Sequence, residues 1–198
     1  MSTTSRTRLD PSERRAALLS AARELAVSQG LAAVTMRAVA ARAGVTPGLV
    51  LHYAGTMDDL VADVFGGIVR DELDELESLV GGVTSPDARL DLLLDALLDA
   101  SRATVTAVWV QSWALGESNP SLAARVRSEM DAWHAFIRDL VAAVSTVDAD
   151  AAAAQILGMI DGINAHALVR WRSREERRQL LVRAVAAMLS PPSDHQGP

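Results

Sequence analysis

The residues with the clearest chemical pattern lie in the segment Thr35–Tyr53, which reads TMRAVAARAGVTPGLVLHY, and just beyond it. Threonines at positions 35, 46 and 56 each precede a predicted helix. A hydroxyl and the free backbone N–H groups of a helix start can both bind phosphate oxygens. An arginine, a histidine and a tyrosine nearby can do the same. We therefore expect contacts to a nucleic-acid backbone from Thr35, Arg37, Thr46, His52, Tyr53 and Thr56.

A second set of residues in this segment has the chemistry to read bases. Pro47, Gly48 and Leu51 fall on the second predicted helix and are all apolar or lack a side chain. Such residues suit thymine methyl groups and the shape of the groove better than hydrogen-bonding base edges. Arg6 and Arg8 could add a minor-groove arm, but a solvated N-terminal tail is the favoured interpretation.

The elements that must position these residues are two short helices joined at Gly44. Val39 and Ala40 point inward from the first helix, and Val45 and Val50 fill the space between the two. Glycine allows the positive φ angle of a tight turn. This spacing is typical of a DNA-binding helix-turn-helix, whose second helix enters the major groove. An ordinary corner between two helices has the same spacing and stays open as an alternative.

Charge supports a polyanionic partner for this part of the chain. The 198 residues carry a net charge of −6, but residues 1–55 sum to +4 and residues 56–198 to −10, and every basic side chain other than histidine is an arginine. The cationic N-terminal quarter and the anionic remainder therefore suggest two different roles. Chance in a small count of charges is the alternative.

The rest of the chain predicts an all-α fold. Aromatic residues make up 4%, alanine and leucine supply most apolar residues, and no segment shows the alternation of a strand. Helix starts are predicted at Pro11–Ser12, Thr56, Ser85–Pro86, Asn119–Pro120, Asp148 or Asp150, and Ser173, where Glu176 completes a capping box. Glycines at 30, 44 and 81–82 mark helix ends, and residues 190–198 are expected to form a disordered tail.

Large side chains in the C-terminal two thirds suggest a binding cavity. Trp109 and Trp113 are one turn apart in a charge-free segment, and Trp133, Ile137, Ile156 and Ile160 recur at helical spacing nearby, with Gln111 and Asp161 as polar neighbours. A mostly apolar cavity with a few polar groups would bind a small hydrophobic effector. Plain core packing is the alternative for any single residue. The candidate effector residues are Trp109, Trp113, Met130, His134, Met159, Ile163 and Asn164.

Small residues recur on one face of the penultimate helix, where glycine costs about 1 kcal/mol against alanine. Close approach of another helix is a reason to keep them, and we expect a four-helix dimer interface with the last helix. The alternative is that they admit helices of the same chain. The candidate dimer residues are Gly158, Gly162, Ala165, Val169, Leu181, Ala184, Val185 and Met188.

Several function classes find no support in the sequence. The chain has no cysteine, its four histidines are scattered, and no catalytic or phosphate-loop motif is present. We therefore expect no enzyme activity, no metal and no cofactor. No charge-free run is long enough to span a bilayer, and the first nine residues lack the apolar core of a signal peptide, so a cytoplasmic location is expected.

The run GVTPGLVLHYAGTMDDL at 44–60, preceded by TMRAVA and by a helix ending at Gly30, resembles the tetracycline-repressor (TetR/AcrR) family. It is similar to the branch whose motif reads GVS-x-G-x-(I/L)-x-HYF. The resemblance is specific over residues 13–65; beyond them it rests on chain length, helical content and the Asp161-Gly162 pair. It implies a three-helix DNA-binding head, a larger helical body for effector binding and dimerisation, and a homodimer.

With these implications, the expected function is a ligand-responsive repressor that binds a pseudo-palindromic operator in double-stranded DNA and is released by a small, mostly apolar effector. We expect an arm at 1–11, a DNA-binding domain at 12–72 with its motif at 35–54, and an effector and dimerisation domain at 73–189. Ala54 replaces a usual aromatic residue and Met57 a usual phosphate-contacting lysine. An interaction protein with this head and weak or lost DNA binding is therefore the alternative.

Overall fold

The computed structural model describes residues 10–190, and this part of the chain contains helices and no strand. The expected all-α fold is confirmed. Two short 3-10 turns, Leu31–Ala33 and Ala100–Arg102, separate some of the α-helices. The helices are α1 (Pro11–Gln29), α2 (Met36–Ala43), α3 (Pro47–Ala54), α4 (Met57–Gly81), α5 (Pro86–Leu97), α6 (Ala103–Gly116), α7 (Pro120–Ala142), α8 (Ala149–Leu168) and α9 (Arg174–Leu189).

Side-chain caps fix most helix starts where the sequence placed them. Ser85 accepts the Ala88 N–H at the start of α5, and Asp148 accepts two N–H groups at the start of α8. Ser173 and Glu176 form the expected capping box of α9. Such caps satisfy the orphan N–H groups of a first turn, which is why local sequence predicts them.

The expected boundary between the N-terminal arm and the first helix requires a correction. The helix α1 begins at Pro11 and is capped by Asp10: its carboxylate accepts the Glu13 N–H, and the Glu13 side chain accepts the Asp10 N–H. Residues 10 and 11 thus belong to a capped helix and not to an arm. The expected arm contacts by Arg6 and Arg8, and the expected tail at 191–198, lie outside the described residues. Ser190 closes α9 through a bond from its N–H to the Ala186 carbonyl.

The chain divides into two compact units. Unit 1 comprises Met1–Ile68 and Gln111–Val126, and unit 2 comprises Val69–Val110 and Arg127–Pro198. Helices α4, α6 and α7 each have one part in either unit. Among residues 10–190, no helix is both long and apolar enough to cross a membrane.

Unit 1 is built around the first four helices. The apolar stripe of α1 is buried, as are Leu31 and Val34 in the connection to α2. The parts of α6 and α7 in this unit are attached by polar contacts: Gln111 Oε1 accepts the Leu31 N–H at 2.6 Å, and Asn119 Nδ2 donates to the Asp58 carbonyl at 3.4 Å. Residues distant in sequence therefore hold the first helices in place.

Unit 2 has a larger apolar core. Leucines of α4 and α5 pack with Trp133 and Ile137 of α7, the buried face of α8, and Leu181 of α9. Asn164 Nδ2 donates to the Leu97 carbonyl at 3.0 Å, which ties α8 to the end of α5.

Candidate functional site

The turn between α2 and α3 has the geometry that the sequence predicted. Gly44 is left-handed, with φ 65° and ψ 35°. Its N–H donates to the Ala41 carbonyl at 3.3 Å, and the Val45 N–H donates to the Ala40 carbonyl at 3.0 Å, the pattern of a Schellman cap. Glycine adopts this left-handed conformation at the lowest cost, which favours a tight turn between α2 and α3.

Packing then determines which face of each helix is free. Val39, Ala40 and Val50 are buried, and Ala54 at the end of α3 is nearly so. Val45, which was expected to be in the core, is only half-buried. The side chains opposite these residues must face outward, because a helix turns by about 100° per residue.

Most of the candidate DNA-contacting residues of unit 1 are exposed to solvent. Tyr53 is half-buried, and its ring meets that of His52 edge-on at 4.8 Å between centroids. The others are exposed, including Leu51 at 42%. The exposed members are Thr35, Arg37, Thr46, Pro47, Gly48, Leu51, His52 and Thr56.

Two of the threonines keep a donor for a ligand. Thr35 Oγ1 accepts the Ala38 N–H at 3.3 Å, which leaves its hydroxyl proton free to be donated. Thr46 precedes α3 and makes no side-chain cap bond. Arg37 forms no ion pair with another described residue, whereas Arg42 lies 3.1 Å from Glu24. Arg37 is therefore the available cation of α2.

The expected phosphate contact of Thr56 requires a correction. Its hydroxyl donates to Asp59 Oδ2 at 2.7 Å and accepts the Asp59 N–H at 3.0 Å, so its one proton is already used. The Thr56 hydroxyl lowers the pKa of Asp59, with help from Ser121. The start of α4 thus presents an ionised carboxylate at Asp59, next to Asp58, where Met57 replaces the usual lysine, and this negative charge repels phosphate.

The candidate effector residues differ in burial. Trp109, Met159 and Ile163 pack against the core of unit 2, whereas Trp113 belongs to unit 1 and is exposed. Met130 is half-buried on the unit 2 part of α7.

The polar side chains in and near the candidate effector set form hydrogen bonds within the chain. His134 Nε2 lies 3.0 Å from the Asp150 carbonyl, and Asn164 bonds to Leu97 as described above. Gln111 is held against unit 1, where a Cβ added to Gly30 would lie 2.6 Å from its Oε1. Sequence spacing could not show that these polar side chains cap or bridge elements.

Sequence analysis missed the most buried polar groups of unit 2. Glu129 is 1% exposed, and its Oε2 lies 2.6 Å from Arg70 Nη2. One turn further along α7, Trp133 is 4% exposed, and its indole N–H has no hydrogen-bond partner among the described residues. Glu72 is also buried; burial raises its pKa, and Arg102, with Nη1 3.3 Å from Glu72 Oε1, opposes that rise. The sequence signal that could have revealed these groups is the acidic residue Glu129, four positions before Trp133.

A cavity of about 230 Å³ lies elsewhere in unit 2, between α5, α9 and Val144 in the connection that follows α7. Its lining contains none of the candidate effector residues. Asp87 and Asp91 contribute carboxylates to a wall that is otherwise mostly apolar.

The candidate dimer residues divide into two groups. Leu181 and Val185 are 0% and 3% exposed and belong to the core of unit 2, so they cannot contact a second chain, and assigning them to the interface was wrong. Gly158 and Val169 are exposed, while Gly162, Ala165, Ala184 and Met188 are half-buried. A Cβ placed on Gly158 or Gly162 would meet no atom within 4 Å.

Comparison with known families gives two matches that together span most of the chain. Residues 18–64 match the family described as bacterial regulatory proteins, tetR family. Residues 86–190 match the C-terminal region of BetI-type transcriptional repressors. The first match covers the helix-turn-helix, and the second begins at α5.

Individual proteins agree with these matches. The HTH-type transcriptional regulator BetI 1 of Chromohalobacter salexigens is 31% identical over 159 residues, 76% of either chain, and BetI of Paraburkholderia phymatum is 30% identical over 112 residues, 55% of this chain and 57% of its own. A Saccharomonospora viridis regulator solved in complex with choline superposes with a TM-score of 0.75 at 22% identity, covering 88% of this chain and 96% of its own. A Pseudomonas aeruginosa regulator superposes with a TM-score of 0.78 at 19% sequence identity. The superposition covers 93% of this chain and 94% of its own. These two structures show a shared fold.

Proposed function

Because the chain belongs to the TetR family of transcriptional regulators, we propose that it is a repressor that binds a pseudo-palindromic operator as a homodimer and leaves it when a small effector binds. The observation that carries the DNA-binding part is the outward face of α2 and α3. It combines an unpaired arginine, two available threonine hydroxyls and an exposed second helix in one compact unit.

Each part of that face has a role in the proposal. Arg37, Thr35 and Thr46 hold the phosphate backbone, and the exposed side of α3 meets base edges in the major groove. His52 and Tyr53 add donors at the edge of α3. Phosphate contacts set register and salt dependence, whereas base contacts set sequence preference.

Arg37→Ala tests the phosphate contact. We expect weaker binding to all duplexes by a similar factor, and a slope of log affinity against log salt that is shallower by about 0.9 for each lost contact. Fluorescence anisotropy with the DNA flanking the gene, and with an unrelated duplex, measures both quantities at several salt concentrations.

The matched control is Arg127→Ala, which removes an exposed arginine from α7 in unit 2. In this control, the slope of log affinity against log salt should be unchanged for both duplexes. A shallower slope in the control as well, or an unchanged slope in Arg37→Ala, would contradict the assigned role.

The second candidate function is an interaction protein whose head no longer binds DNA. The observation that favours it is the acidic start of α4, where Asp58 and Asp59 follow Met57. The same titration separates the two functions, since this candidate requires the wild-type protein to bind neither duplex.

For the homodimer, the support comes from the exposed side of α8. Gly158 and Gly162 face no atom of their own chain within 4 Å, so packing inside the chain gives no reason for these glycines. Val169, at 78% exposure, continues the same face. A second copy that packs its α8 here would bury this apolar surface.

For the effector, the support comes from the buried groups of α7. A fully buried indole N–H costs free energy unless it meets an acceptor. An effector with an apolar body and one acceptor would satisfy Trp133 while packing against Trp109 and Met159. A cationic effector such as choline, which the Saccharomonospora viridis regulator binds, is favoured instead by the Trp133 ring and by the buried carboxylate of Glu129 one helical turn before it.

Calorimetric titration distinguishes these effector classes. The probes are choline and 3,3-dimethyl-1-butanol, its neutral isostere, each with and without bound operator duplex. Tighter binding of the neutral probe supports the apolar class, and tighter binding of choline supports the cationic class. In either case DNA should weaken binding by the factor with which the probe weakens DNA binding, about 5- to 150-fold. Equal affinity with and without DNA contradicts the release mechanism.

A further inference from the structure

We propose that α3 reads the C5 methyl groups of thymine through a notch at Gly48, which the apolar side chains of Leu51 and Pro47 border on one side. The inference rests on the proposed DNA binding and adds the chemical feature of the operator that the protein recognises. It also assigns Gly48 as a residue that determines specificity.

The notch follows from the helical positions of the three residues. Val50 and Ala54 are buried, and Leu49 and Tyr53 are half-buried, so α3 exposes a single arc. At 100° per residue, Pro47 and Leu51 lie 40° apart, and Gly48 follows 60° beyond Leu51. Leu51 therefore lies near the centre of the exposed arc, next to Gly48, which has no side chain.

The chemistry of the arc excludes the usual hydrogen-bonded readout. Specific contacts to guanine and adenine come mainly from arginine, lysine, asparagine and glutamine. The sequence of α3, PGLVLHYA, contains none of these. Its one exposed polar side chain is His52, at the far edge of the arc. The apolar group that a base pair offers in the major groove is the thymine methyl.

Gly48 supplies an independent observation. It has no positive φ, and a Cβ added to it would meet no atom of the chain within 4 Å. Neither backbone conformation nor internal packing therefore requires glycine, although glycine destabilises a helix relative to alanine. Gly44 is different, because its left-handed conformation explains it. Glycine at position 48 is explained by the close approach of a ligand to the backbone.

Recognition of the thymine methyl group predicts a response to modified bases that differs from the response expected for recognition by hydrogen bonds. Uracil keeps the O4 acceptor of thymine and lacks only the methyl, whereas 5-methylcytosine keeps the methyl and replaces the acceptor by an amino group. The notch should therefore reject uracil and tolerate 5-methylcytosine at the same step. A reader of O4 should do the opposite.

The test begins with selection of binding sites from a random duplex library. In the selected site, each dT is replaced in turn by dU, and then the T·A pair by 5-methyl-dC·dG and by dC·dG. At the contacted steps we expect dU to weaken wild-type binding about four-fold per methyl, from about 0.8 kcal/mol per buried carbon group. We expect 5-methyl-dC to bind about four-fold better than dC.

Gly48→Ala fills the notch with one methyl group. We expect its discrimination between dT and dU to fall to nearly one-fold. Its melting temperature should equal or exceed that of the wild type, which excludes misfolding as the cause. Gly81→Ala is the control, since a Cβ at Gly81 also meets no atom within 4 Å and the residue ends α4.

The outcomes separate the inference from the proposed function. If no sequence is enriched, DNA binding itself fails, and the inference with it. If a site is enriched but dU is tolerated at every step, DNA binding stands and the methyl readout is overturned. If dU is rejected equally by Gly48→Ala and the wild type, the notch is overturned as the reading element.

Discussion

Asp161→Asn is expected to stabilise the protein at pH 7 by up to about 3 kcal/mol, with little effect near pH 4. Asp161 lies on α8, and burial raises the pKa of its carboxyl group from 3.8 to about 6. No neighbouring cation opposes this rise. The protein therefore keeps a carboxylate ionised at neutral pH in a position that favours the protonated form.

The sign of the pH dependence follows from the two pKa values. Between pH 3.8 and about 6, the folded chain holds a proton on Asp161 that the unfolded chain has released. Stability therefore falls as the pH rises through this window and is lowest above it. Each pKa unit corresponds to about 1.4 kcal/mol, which gives the expected gain when asparagine removes the charge.

Urea unfolding at pH 4, 5, 6 and 7, at one fixed chain concentration, measures this effect. As the pH rises from 4 to 7, the free energy of unfolding of the wild type should fall relative to that of Asp161→Asn. The plots of this free energy against pH should therefore diverge. Asp131→Asn, which neutralises an exposed carboxylate of α7, controls for the change in net charge. Parallel curves for wild type and Asp161→Asn would show that Asp161 is not desolvated.

The outward face of α2 and α3 was predictable because its determinants are local. Gly44 fixes the turn, and the alternation of buried Val39 and Val50 with exposed neighbours follows from helical period alone. Caps such as Ser173 with Glu176 also act within one turn. Placement of Thr35, Arg37 and the exposed arc of α3 therefore needs no knowledge of the rest of the chain.

The errors occur where contacts distant in sequence decide the role of a side chain. Leu181 belongs to the core because α9 packs against α5 and α8, and no pattern within α9 shows this. His134 and Asn164 bond to backbone carbonyls 16 and 67 residues away. Thr56 is a local case that chemistry could have identified, since Asp59 stands at the third position of a capping arrangement.

Gly162→Leu is expected to weaken the proposed dimer by more than about 1–3 kcal/mol, which raises the dissociation constant at least about 5- to 150-fold. The reason is overpacking of two helices that approach closely at a position without a side chain. The isolated chain should tolerate the change, because a Cβ at Gly162 meets none of its atoms within 4 Å and leucine is the better helix former. Loss of association and loss of folding are therefore distinguishable.

Sedimentation velocity over a range of chain concentrations measures the dissociation constant, and circular dichroism verifies folding. Ala124→Leu, which adds similar bulk at an exposed position of α7, should leave association unchanged. Gly162→Leu should also reduce operator affinity at concentrations where its dimer dissociates, because a single head contacts one half-site. If the variant sediments as the wild type does at every concentration, the Gly158–Gly162 face of α8 lies outside the dimer interface, and the second copy packs elsewhere.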